Sequence, residues 1–104
     1  MAGLQIAVVI EGPSAILTLA GEADLAVAET LFDEGAAALA AHGVDALTIN
    51  LAQVTFIDST SISALVRLHN LVEESGQTMT LTQVPARVAR ILQIAGLAEV
   101  FNVG

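Results

Sequence analysis

Lysine, cysteine, tryptophan and tyrosine are all missing from this 104-residue chain, and each absence removes a class of chemistry. Without cysteine there is no disulfide framework. Without lysine there is no Schiff base, no P-loop lysine and no lysine of the kind that completes a receiver-type phosphoacceptor site. Aromatic residues make up only 3% of the chain, so the core has to be built from Ala, Val, Ile and Leu, which suits helices laid on a sheet. Basic residues are almost as scarce. Three arginines face eleven acidic residues, a net charge of −8 that excludes nucleic acid and anionic membrane as partners and points to neutral or basic proteins. No apolar run approaches the roughly 18 to 20 uninterrupted residues of a bilayer crossing, so no membrane insertion is expected. The first residues, Met1 to Gln5, lack the basic segment of a signal peptide, and a cytoplasmic location is the plain expectation.

What is present reads as one domain over residues 1–104, with no internal repeat, low-complexity stretch or linker. Gln5–Ile10 and Ala15–Ala20 are β-prone runs flanking Glu11-Gly12-Pro13-Ser14, the pattern of a hairpin. Leu25, Ala28, Phe32, Ala36 and Leu39 recur at helical steps as far as Ala41, with Gly43 as a stop and His42 near the negative end. Leu47, Ile49 and Leu51 alternate with polar residues, and Val54–Ile57 leads into Asp58-Ser59-Thr60, a helix start. A second helix is predicted over roughly Thr60 to Ser75, ended by Gly76. Thr78–Thr82 follows as a strand, and Pro85 opens a third helix whose face is Val88, Ile91, Leu92 and Ala95, closed by Gly96. The order is β-β-α-β-α-β-α, with an apolar tail at Val100-Phe101 that suits either a last strand or packing under the sheet. Strands separated by helices imply parallel pairing, so the class is α/β: a small mixed sheet with helices mainly on one face.

Three segments resemble the STAS domain family, and within it the anti-anti-sigma factors. Leu19-Ala20-Gly21-Glu22-Ala23-Asp24 is similar to the family's Gly-Glu-x-Asp strand end. Val54 through Thr60 is similar to the stretch ending in Asp-Ser-Ser/Thr, whose first serine is the family's phosphoacceptor, and Pro85-Ala86-Arg87-Val88 through Ala95-Gly96-Leu97 is similar to its third helix. The resemblance implies an anti-sigma factor antagonist that, unphosphorylated, binds an anti-sigma factor serine kinase and frees a sigma factor. Phosphorylation of Ser59 then reverses the binding. The same fold also serves as an accessory subunit of lipid or anion transport systems, the alternative function. Two features depart from the pattern. Ser61, Ile62 and Ser63 stand where the family has a Gly-Leu-Gly run, and the family's usual C-terminal helix is expected to be absent after Gly104.

The candidate site is the loop pair around Asp24 and Asp58-Ser59-Thr60, with Ser61 and Ile62 following as partner contacts. Ser59 has two readings: its hydroxyl suits an N-cap, and the same helix terminus stabilises an added phosphate. Asp58 either orients that hydroxyl or complements the helix dipole. Thr60 is the backup acceptor, turned about 100° away. Asp24 precedes the first helix as a cap and partner contact. On the second helix, Leu71, Ala64, Leu68, Val72, Leu65, His69, Ile62 and Val66 cover an arc wider than a sheet needs. That arc suits either a neighbouring helix or a homodimer or heterocomplex. His69 reads as a packed residue, since no ligand set surrounds it. There is no Gly-x-Ser-x-Gly elbow, Gly-rich phosphate loop, His-Glu-x-x-His or calcium loop. No catalytic residue, metal or cofactor is expected.

Overall fold

A two-residue turn at Gly12-Pro13 folds β1 (Leu4–Glu11) back onto β2 (Ser14–Ala23), pairing them antiparallel from Glu11 opposite Ser14 to Leu4 opposite Gly21. The computed structural model describes residues 3–103. After the hairpin come α1 (Leu25–Ala40), β3 (Ala46–Ile57), α2 (Ser59–Ser75), β4 (Thr78–Thr82), α3 (Ala86–Ile94) and β5 (Asn102–Val103). The five strands form one sheet in the order β1-β2-β3-β4-β5, and every pairing after the hairpin is parallel. The mixed sheet is therefore the expected one; the last strand lies just beyond the apolar tail, at Asn102–Val103, while Phe101 itself is buried in the core.

Strand alternation sorts the sheet into two faces. Ala15, Leu17, Leu19, Leu47, Ile49, Leu51, Met79 and Leu81 are buried. Their neighbours Ile16, Thr18, Thr48, Asn50, Thr80 and Thr82 point the other way and are half-buried. Helices α1 and α2 cover the first face, and each fully buried Leu or Ile there contributes roughly 1.5 to 3 kcal/mol.

The wide apolar arc of α2 is explained by α1. Gly35 of α1 lies so close to Leu68 that a Cβ on it would come within 2.7 Å of that side chain. Arg67 reaches back to Glu29 at 2.7 Å and stacks 4.0 Å above the Phe32 ring. Ile62, Ala64, Leu65, Leu68 and Val72 are buried as a result. Most of the arc is thus taken up within the fold, with Val66, His69 and Leu71 half-buried. His69 packs edge-on against Phe101, with ring centroids 5.8 Å apart, which ties the tail to α2 as a packed histidine would.

Helix α3 departs from expectation. Val88 and Leu92 are buried, but Ile91 is only half-buried and Ala95 is exposed. The helix has nine residues, and its flank toward the start of α2 lines an open depression.

Candidate functional site

The C-terminal ends of β2 and β3 lie side by side, with Ala23 opposite Ile57, and each strand hands over to a helix through one aspartate. Asp24 caps α1, its carboxylate accepting the Ala26 N–H at 3.0 Å. Asp58 caps α2, accepting the Ser61 N–H at 3.0 Å. The two turns are joined by backbone and side chain. The Asp58 N–H donates to the Ala23 carbonyl at 3.0 Å, and the buried Ser61 hydroxyl donates to the Asp24 carbonyl at 3.3 Å. Upstream, Gly21 adopts φ +108°, and a Cβ there would land on the Gly3 carbonyl oxygen. Only glycine lets β1 cross so close to the strand end that aims Asp24.

The cap assignment changes the reading of Ser59. Its side chain is not the cap: Asp58 holds that position, and Ser59 is the first helical residue, exposed and without a side-chain hydrogen bond among the described residues. Asp58 is a full helix cap, drawing the Thr60 hydroxyl to 2.6 Å as well. That hydroxyl, and after it the Ser61 N–H, hold the Asp58 carboxyl below its ordinary 3.8. Thr60 is thereby engaged and half-buried. Ser61 is fully buried and Ile62 only 7% exposed, which removes Ser61 from the set of residues that can touch a partner and leaves Ile62 as a floor residue.

Ile62 forms that floor beside Ser59. Ile57, Ile62, Ile91, Ile94 and Ala95 line an open depression of about 350 Å³ whose polar rim is Asp58, Ser59 and Ser63. It is the flank that α3 leaves uncovered. Three large apolar side chains stand out at this end of the sheet: Leu25 is 72% exposed, Phe56 48% and Ile94 78%. Sequence reasoning named Leu25 and Ile91 only as members of apolar helix faces and did not single out Phe56 or Ile94. Phe56 was detectable in principle, as one of only three aromatic residues, lying two positions before the Asp-Ser-Thr turn.

A phosphate on Ser59 would sit at the N-terminus of α2. The Asp58 carboxylate already accepts from the backbone of that first turn, at the Ser61 N–H, and would stand beside the phosphate. Arg67 is paired with Glu29 and Arg87 donates to the Thr55 carbonyl at 2.9 Å. Among the described residues there is no group of three or more metal-ligating side chains, and no helix long and apolar enough to cross a membrane.

Known proteins share this fold. The family described as Mlab, STAS domain matches residues 6–102. The anti-sigma-B factor antagonist of Bacillus subtilis is 31% identical over 87 residues, covering 84% of this chain and 78% of the relative. The unphosphorylated anti-sigma factor antagonist SpoIIAA superposes with a TM-score of 0.80 at 18% identity, over 98% of this chain and 88% of its own. An anti-sigma factor antagonist from Mycobacterium paratuberculosis reaches 0.84 at 20% identity, over 97% and 85%. A sulfate transporter family protein from Wolinella succinogenes has the same fold, at 0.77 and 22% identity, over 91% and 79%. With nearly its whole length matched and its two capped strand ends in place, the chain belongs to the STAS domain family.

Proposed function

We propose that this protein is a non-enzymatic antagonist of an anti-sigma factor, acting in the cytoplasm and switched at Ser59. In the unphosphorylated state it docks an anti-sigma serine kinase through the end of the sheet that carries Asp24, Asp58 and Ser59. The apolar depression between α2 and α3 receives a hydrophobic side chain of that partner. Phosphorylation places roughly −1.5 to −2 charges at the centre of the contact and releases the partner. The observation that carries this reading is the Ser59 hydroxyl, exposed beside an apolar depression and relieved of capping by Asp58. The relation to the Bacillus subtilis antagonist supports the same class of partner.

The test incubates wild type and Ser59→Ala with the cognate anti-sigma kinase and ATP and maps phosphate by mass spectrometry. Phosphate should appear on Ser59 alone and be lost in the variant, and the phosphorylated protein should no longer co-elute with the kinase. Phosphate on Thr60 or Ser61, or on no residue, overturns the assignment. A second reading, as an assembly element of a transport system, draws on the fold shared with the sulfate transporter family protein. Stable co-purification with transporter subunits, indifferent to Ser59→Asp, would favour it.

A further inference from the structure

Strand β1 is the outer strand of the sheet and pairs with β2 alone. The hairpin closes on the Glu11–Ser14 pair, and the Gly3 carbonyl accepts the Glu22 N–H at 3.0 Å. Both contacts set the alternation. Odd-numbered residues turn their backbone groups toward β2, while Leu4, Ile6, Val8 and Ile10 direct N–H and C=O outward. Protein edges of this length normally carry a charge, a proline or a bulge that prevents further pairing. Between Leu4 and Ile10 there is none of these, and the register with β2 runs unbroken. Instead Val8, Val9 and Ile10 are 39%, 49% and 46% exposed.

We infer that β1 is a self-pairing edge, through which two copies of this chain join antiparallel about a twofold axis at Ala7 and form one continuous sheet. The register follows from the backbone. Setting Leu4 opposite Ile10 of the second copy, and Ile6 opposite its Val8, satisfies every outward group of the segment in about eight main-chain hydrogen bonds. A shift of two residues either way leaves some of them unpaired. Charge favours a second copy over a basic partner. In a chain of net charge −8, Leu4–Ile10 offers no carboxylate for a basic partner to seek. In the proposed register Glu11 stands opposite Gly3 of the other copy, so the two Glu11 carboxylates lie about 27 Å apart. Strand pairing of this length covers less than the roughly 800 Å² per partner of a standard interface. The dimer is accordingly weak, with a dissociation constant in the micromolar range. This inference is independent of the Ser59 reading.

Sedimentation velocity on the full chain from about 5 to about 500 µM, a range that brackets micromolar dissociation, should show monomer passing into dimer. Val8→Pro removes an outward N–H and spares every bond to β2, so it should remain monomeric while melting like the wild-type monomer. Ala7 is exposed and meets its own copy at the axis, so Ala7→Glu and Ala7→Lys should each be monomeric alone and should dimerise when mixed. A wild type that stays monomeric throughout overturns the inference, as does dimerisation of Val8→Pro or of Ala7→Glu alone at wild-type strength. If Val8→Pro fails to fold, the Ala7 pair, which alters only an exposed side chain, decides the matter.

Discussion

Ser59→Ala should leave the stability of this domain almost unchanged, and the reason lies one residue upstream. Were the Ser59 hydroxyl the helix cap, its removal would cost about 0.5 to 2 kcal/mol. In the structure Asp58 takes that position, and the Ser59 side chain is exposed and accepts no N–H bond. An exposed side chain free of such a role changes stability by no more than about 0.5 kcal/mol, and alanine's better helix propensity offsets part of even that. Thr60→Ala is the opposing case. It deletes a 2.6 Å hydrogen bond to a carboxylate from a half-buried residue, worth about 0.5 to 1.5 kcal/mol after solvent compensation. For a domain of this size 1 kcal/mol moves the melting temperature by about 4 to 8 °C. Thermal melts followed by circular dichroism should therefore place Ser59→Ala within about 3 °C of wild type and Thr60→Ala roughly 3 to 10 °C below it. A drop beyond about 5 °C for Ser59→Ala, or none for Thr60→Ala, would refute the cap assignment. The consequence for function is practical: if the reasoning holds, alanine at Ser59 reports on phosphorylation without a folding artefact.

Gly21→Ala should be far more damaging than Gly76→Ala. Both have positive φ, but a methyl group at Gly76 meets open space and one at Gly21 meets the Gly3 carbonyl, so urea titration should show a loss of about 1 kcal/mol at Gly76 against 2 to 4 at Gly21. In the third helix Leu92→Ala should cost about 2 to 5 kcal/mol and half-buried Ile91→Ala visibly less, with equal losses in denaturant counting against the open flank of α3. Acid should bring out the Asp58 cap. Because its folded carboxyl lies below the ordinary 3.8, its contribution is complete above about pH 5 and is lost as pH falls through the lower folded value. The gap in melting temperature between wild type and Asp58→Ala should accordingly narrow below about pH 4, and a gap that widens there would be the wrong sign.

Much of this architecture was readable before any coordinates, and the places where it was not share a cause. Thr78–Thr82 was legible to the residue, because Met79 and Leu81 alternate with threonines and Gly76 marks the preceding stop. The start of α2 was not. Asp58, Ser59 and Thr60 are all good capping residues, and the choice among them is made by the bond from the Asp58 N–H to the Ala23 carbonyl on a neighbouring strand, outside any local window. Val88, Ile91, Leu92 and Ala95 fall on one helical stripe, but how much of a stripe is covered depends on what packs against it. The run Val8-Val9-Ile10 reads like an interior strand for the same reason: sequence shows its apolarity, and only topology shows that β1 lies at the edge.

On the proposed reading of Ser59 as a phosphoacceptor, the geometry constrains how such a switch would work. A phosphate can act by reorganising its own domain or by altering the surface that a partner meets. Reorganisation requires either a bond to break or a cationic partner to recruit, and the Ser59 hydroxyl offers no such bond. It makes no side-chain hydrogen bond among the described residues, Asp58 keeps the cap, and two of the three arginines, Arg67 and Arg87, are engaged elsewhere. What changes is the field at an already acidic helix start, where a phosphate beside the Asp58 carboxylate has little to gain from the domain itself. It stays hydrated, and any partner that covered the neutral hydroxyl and the adjoining apolar depression would now have to strip water from a near-dianion. On that reading, discrimination between the two states would rest on desolvation at the contact and would need no movement of the fold that carries it.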